Sequence, residues 1–358
     1  MSSLSAFGVY LHVPFCAARC DYCAFATWTD RHDLQEAYLD ACRLDIERHV
    51  EEGMPAATSV FVGGGTPSLV SPSALARVLA AIPRARECEV TVECNPDTVT
   101  AELASVYAAA GVNRVSVGVQ SMVDHVLASL GRTHSPENVG RAVRLFRSAG
   151  ITSFNVDLIY GAAGETVDDW RRTLERALAL EPPHVSAYAL TVEPGTALAD
   201  DATRHPDDDD QASKYLLAAS TLSDAGLEWY EISNWARPGF ECRHNRLYWS
   251  MGEYQAFGCA GHSHRGGRRF WNVRTPERYI AAVTGGRSPE AGGERLDDDG
   301  RRLEALQLAL RTRDGVPLGS LDPSDLAALD GLVERRDSRL VLTPRGRLLA
   351  NEVALRVG

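Results

Sequence analysis

Short runs of β-branched and other apolar residues punctuate the first half of the chain, at residues 9–13, 59–62, 89–92, 114–117, 154–158 and 184–188. After the first, they recur at roughly the 30-residue length of a βα unit. Between them, residues 34–50, 72–82, 101–110, 136–149 and 166–180 carry apolar side chains at helical spacing, several followed by Gly or Pro. Six such alternations predict an α/β fold of parallel strands covered by helices. Working residues then belong on the loops after the carboxyl ends of the strands. A partial (β/α)6 barrel and a doubly wound open sheet satisfy the pattern equally.

Beyond Pro194 the pattern weakens. Residues 199–210 are rich in Asp and read as a solvated loop. Residues 215–232 predict a helix running into a short strand. Residues 233–272 read as irregular and dense in Trp, Tyr, His, Gly and Arg, and 285–300 as a Gly- and Asp-rich linker. An amphipathic helix at 301–310 and a strand pair near 332–342 close the chain. The expected organisation is a core over 1–200, an extension with an aromatic and His-rich segment over 201–290, and a small C-terminal accessory domain over 291–358.

The 358 residues, 44% of them hydrophobic, suffice for about two domains. A formal charge of -11, from 37 basic against 48 acidic residues, argues against nucleic acid as a partner. No stretch approaches the roughly 18 apolar residues of a membrane span, and residues 1–6 lack the features of a signal peptide, so a cytoplasmic location is expected. In that compartment the eight cysteines read as metal ligands, nucleophiles or buried hydrophobes before disulfides.

Cys16, Cys20 and Cys23 form CxxxCxxC on a loop, 14–25, directly after the first strand. Structural zinc wants four protein ligands and usually a second pair at a distance, and no second CxxC exists. Three thiolates can wrap an iron–sulfur cubane and leave one iron open to an external chelating ligand. Cys42, Cys88, Cys94, Cys242 and Cys259 read as packing residues. Gly63, Gly64 and Gly65 after the second strand let backbone approach a ligand, and Glu93, Gln120 and Asp157 each fall at a strand end.

The stretch YLHVPFC at 10–16, continuing to Cys23, resembles the signature of radical S-adenosylmethionine (SAM) proteins. The resemblance implies a [4Fe-4S] cluster whose open iron chelates SAM, and an electron donor such as flavodoxin or ferredoxin if SAM is cleaved to a deoxyadenosyl radical. With GGGTP at 63–67, ECNP at 93–96, GVQS at 118–121, Arg132 and DLIYG at 157–161, most of residues 8–265 is similar to the oxygen-independent coproporphyrinogen III oxidase family. That family implies the partial (β/α)6 barrel. It also implies SAM contacts from Tyr10, Gly64 and Glu93, with Tyr22, Gly65, Thr66, Gln120, Arg132 and Asp157 matching positions around a second SAM.

Two departures separate the chain from the family's oxidases. Phe25 stands where they carry a further cysteine, and few residues precede the first strand where they have a long extension, so coproporphyrinogen oxidase activity is not expected. HNxxYW at 244–249 resembles the signature of the HemW heme chaperones. This implies heme binding with His244 as axial ligand, Tyr248 and Trp249 as flat walls, and Arg243 and Arg246 for the propionates. His262 and His264 are further candidate ligands, although GCAGHS at 258–263 departs from the family's order before the histidine. The expected function is a heme chaperone that passes heme to an acceptor protein, with transient membrane association during delivery. The alternatives are an oxygen-independent coproporphyrinogen III dehydrogenase working by radical decarboxylation, and an iron–sulfur electron-transfer module.

Overall fold

All six β-branched runs form strands, and they lie side by side and parallel in chain order: β1 (Phe7–Val13), β2 (Ala57–Gly64), β3 (Arg84–Cys94), β4 (Arg114–Gln120), β5 (Ser153–Tyr160) and β6 (His184–Ala189). The structure, a computed structural model, describes residues 6–357, so residues 1–5, read above for a leader, lie outside it. The connections run through α1 (Gln35–Glu51), α2 (Pro72–Ala81), α3 (Ala101–Ala109), the short α4 (Asp124–Ser129), α5 (Pro136–Ser148) and α6 (Val167–Leu178). The strands alternate apolar residues, which pack on the helices, with polar ones such as Ser116, Asn155 and Asp157 on the opposite face. Val9, Leu11, Val60, Val62, Val92, Val115, Val117 and Val156 are all buried in one core with Leu75, Tyr107, Phe146 and Trp170 from the helices. Helix starts are set by side-chain caps: Ser71, Thr100 and Thr166 each accept a bond from a backbone N–H of the first turn, and Asp169 completes a capping box with Thr166.

Past β6 the chain is more ordered than its composition suggests. Of the Asp-rich stretch 199–210, the last residues are not loop: Asp207 caps α7 (Asp208–Asp224), and Asp208, Asp209 and Asp210 fill its first turn, where carboxylates complement the helix dipole. The stretch 233–272 is largely regular. With β7 (Glu228–Glu231), β8 (Asn234–Ala236) extends the sheet antiparallel beyond β6; α8 (Arg243–Trp249) follows. Then β9 (Glu253–Phe257) returns to the opposite edge, parallel to β1, and β10 (His262–Arg265) and β11 (Arg268–Asn272) add a hairpin. The expected linker 285–300 contains β12 (Glu290–Arg295), which follows α9 (Pro276–Thr284) and pairs with β11. One twelve-stranded sheet results, open between β12 and β7, as a partial barrel is.

The final part holds α10 (Asp298–Leu310) and a three-stranded antiparallel sheet of β13 (Val316–Pro317), β14 (Val333–Arg336) and β15 (Arg339–Leu342). Leu310, Leu329, Leu340 and Val353 form its separate core. Among the described residues no helix is long and apolar enough to cross a membrane.

Candidate functional site

The loop after β1 is pinched at its base. Phe15 and Trp28 form a bridge, with Cys16 N donating to Trp28 O at 3.0 Å and Trp28 N to Pro14 O at 2.8 Å. The loop after β2 is bonded onto the same base: Gly65 N donates to Val13 O at 2.8 Å and Thr66 N to Phe15 O at 2.8 Å. This close approach explains the glycines. A Cβ on Gly65 would lie 2.7 Å from the Phe15 carbonyl oxygen, and Gly64 has φ +111° with the His12 ring against it.

Cys16, Cys20 and Cys23 are half-buried on this loop, but among the described residues no three metal-ligating side chains converge on a single ion position. Three thiols spread over one pinched loop suit a group that spans them, as an iron–sulfur cubane does, better than a four-ligand zinc cage. Burial pushes the Cys16 and Cys23 thiols above their ordinary value. Thr66 Oγ1 lies 3.6 Å from Cys16 Sγ, and Arg132 Nη1 donates to Cys20 Sγ at 3.4 Å. The loop is also held from outside, since Leu198 N donates to Asp21 O at 2.9 Å and Arg204 pairs with the Asp21 carboxylate at 2.7 Å. The residues around 199–204, read as solvated loop, thus brace the cysteine loop.

The strand-end residues gather on the same face. Glu93 accepts a bond from Gly64 N at 3.0 Å. Asp157 accepts from Ser116 Oγ and Asn155 Nδ2, both at 2.7 Å. Burial pushes Glu93 up to about 7, with Asp157 adding and the Gly64 amide opposing, and burial likewise raises Asp157. Gln120, with φ +60°, ends β4 beyond a register shift. Arg132 reaches Gly118 O at 3.1 Å, and Tyr22 packs near Val126 and Leu130. The Tyr10 hydroxyl lies 3.1 Å from His12 Nδ1, and His12 Nε2 lies 2.9 Å from Ala26 O in the cysteine loop. Tyr10, Tyr22, Gly64, Gly65, Thr66, Glu93, Gln120, Arg132 and Asp157 therefore share one face with the three cysteines.

His244, expected as an axial ligand, does not share it. Its ring is fully buried, stacked on Phe61 at 5.5 Å, with Nδ1 3.0 Å from Ser59 Oγ and Nε2 2.8 Å from the Tyr248 hydroxyl. Neither nitrogen is free. The cause is helical geometry: on α8, His244 and Tyr248 lie four residues apart on one face, while Arg243, Arg246 and Trp249 turn elsewhere. The motif is thereby split. Arg243, Arg246, Leu247 and Trp249 line a cavity of about 510 Å³ against Arg313 and Arg339 of the C-terminal part. Tyr248 instead lines a cavity of about 770 Å³ with Tyr10, Phe25, Tyr254, His262 and Trp271. Phe25 is 67% exposed, an apolar side chain that turns into this space from the cysteine loop.

Tyr254, Trp271, Arg274 and Arg278 also line that larger cavity, and the sequence did not single them out. The aromatic density of 233–272 was the available signal; the pairing of β10 with β11 was needed to aim it.

Residues 10–177 match the radical SAM superfamily. The chain is 43% identical to the heme chaperone HemW of Mycobacterium tuberculosis over 97% of its length and 93% of that protein. To the heme chaperone HemW of Bacillus subtilis it is 33% identical, over 96% of its length and 97% of that protein. In fold it resembles the solved structure of the Escherichia coli radical SAM enzyme coproporphyrinogen III oxidase HemN, with TM-score 0.86 and 21% identity over 98% of this chain and 90% of that one.

Proposed function

The chain belongs to the HemW family of heme chaperones within the radical SAM superfamily, and we propose that it binds heme beside its cysteine loop and passes it to an acceptor protein. The observation that carries this reading is the aromatic-walled cavity of about 770 Å³ opening against residues 24–26 of that loop, within the size range of ligand sites and large enough for a macrocycle. We assign Cys16, Cys20 and Cys23 to a [4Fe-4S] cluster, which when bound leaves one iron open to the amino and carboxylate groups of SAM. Tyr10, Gly64 and Glu93 would orient that SAM, and Tyr22, Gly65, Thr66, Gln120, Arg132 and Asp157 are positioned to line a second one. The natural setting on this reading is the cytoplasm, with delivery to an acceptor at a membrane surface and reduction by a flavodoxin- or ferredoxin-like donor.

Phe25 favours chaperone over decarboxylase, because it puts an apolar ring at the cavity mouth where the oxidases carry a cysteine. Reconstituted protein given SAM, reductant and coproporphyrinogen should release no carbon dioxide. Stoichiometric appearance of the divinyl product would move the protein to the dehydrogenase class.

A pH effect follows from Glu93. Because its carboxyl sits at about 7 and only the ionised form is a pure acceptor, SAM should bind more tightly as pH rises from about 6 to about 8. Glu93→Gln should bind more weakly and flatten that rise. Equilibrium binding at both pH values checks this, and a flat wild-type profile would remove Glu93 from the SAM contacts.

A further inference from the structure

Resting on the heme reading above, we propose that His262 supplies the axial nitrogen to heme in the larger cavity, with Arg274 and Arg278 receiving its two carboxylates.

Four histidines lie near this space, and their surroundings separate them. His12 is buried, with both ring nitrogens within hydrogen-bond distance of Tyr10 and Ala26. His244 is buried with both nitrogens engaged. His264 has Nδ1 2.9 Å from Gly252 O and does not line the cavity. His262 lines it, is exposed, and its ring nitrogens have no hydrogen-bond partner among the described residues. Its imidazole is held flat rather than free to swing: across the antiparallel hairpin it pairs with Trp271, with ring centroids 5.7 Å apart and planes at 30°. Partial burial lowers its pKa, which keeps the ring neutral at physiological pH and leaves a lone pair for iron.

The opposite requirement, cations for two carboxylates, is met at the start of α9. Arg274 precedes its N-cap and Arg278 lies in its first turn; both line the cavity, both are exposed, and neither forms an ion pair among the described residues. Glu277 between them is drawn off by Arg31. In a chain of net charge -11, two unpaired arginines beside an aromatic cavity attract an anionic ligand that the rest of the surface repels. Phe25 and Trp271 supply apolar walls for the macrocycle between these ends.

The test is a titration of the reconstituted full-length protein with hemin, read from the Soret band, with the iron–sulfur absorbance as a check on folding. His262→Ala should lose or shift the band and weaken binding roughly 10-fold or more, and added imidazole should restore the band. His264→Ala, on the same face of β10, should behave as wild type. Arg274→Ala and Arg278→Ala should weaken hemin but not its dimethyl ester, which has no carboxylates to hold. If wild type and His262→Ala give the same band and affinity, the ligand assignment is overturned while the heme reading stands. If wild type itself fails to bind hemin, the heme reading falls and the assignment with it. Should His262→Ala lose its cluster, His262→Met must shift the Soret band by exchanging nitrogen for sulfur, and an unshifted band overturns the proposal.

Discussion

Replacing any one of Cys16, Cys20 and Cys23 by alanine should abolish the broad iron–sulfur absorbance after anaerobic reconstitution, while Cys42→Ala and Cys259→Ala should retain it. The difference lies in where the thiols are. The three loop cysteines are half-buried and face the site, whereas Cys42, Cys88, Cys94, Cys242 and Cys259 are buried. Cys259, for example, is 3.5 Å from the Tyr38 hydroxyl inside the core, and burial pushes its thiol up to about 12. None of these five offers a replacement ligand on the loop, so losing one thiolate of three leaves a cubane with too few anchors. Iron analysis checks the result. Four irons per chain in the triple alanine variant would show that the ligands lie elsewhere.

Lys214→Met should lower folding stability by about 3–5 kcal/mol, the cost of leaving a buried acid without its partner. Lys214, the one lysine in the sequence, has a side chain with no exposed surface. Its Nζ lies 3.1 Å from the equally buried Glu165 carboxylate, 2.7 Å from Asp210, and 2.8 Å from the Glu165 carbonyl oxygen. Glu165 in turn accepts from Gly161 N at 2.7 Å, so the pair ties α7 to the turn after β5. Burial already lifts the Glu165 carboxyl above the usual range against the pull of Lys214, and removing the ammonium deepens that penalty. Adding Glu165→Gln should recover part of the loss. Chemical denaturation measures both; a loss under about 1 kcal/mol would mean that the pair behaves as a solvated one.

The six parallel strands were readable because buried apolar residues recur along one face of each, as Val115 and Val117 do on either side of Ser116, at the repeat of a βα unit. The outer strands were not. β10 reads His-Ser-His-Arg and β12, the mostly exposed edge strand, reads Glu-Ala-Gly-Gly-Glu-Arg, and neither carries an apolar alternation. The cysteine loop and the glycine triplet were legible because their chemistry is local in sequence. The heme motif is divided in space for the converse reason. Six adjacent residues suggest one site, but one and a half turns of helix point His244 into the core, Tyr248 to one cavity and Trp249 to another. His262 and Trp271 become neighbours only through strand pairing. Asp207 was legible in principle as a helix cap, had the helix after it been extended to its natural start.

The central claim, that this chain carries heme, is tested most directly by stoichiometry. Full-length protein with its cluster reconstituted should take up hemin saturably, one per chain, and keep it through gel filtration with both the Soret band and the iron–sulfur absorbance present. A Soret signal that rises without saturating, or is lost from the protein fraction while the cluster remains intact, would contradict the account.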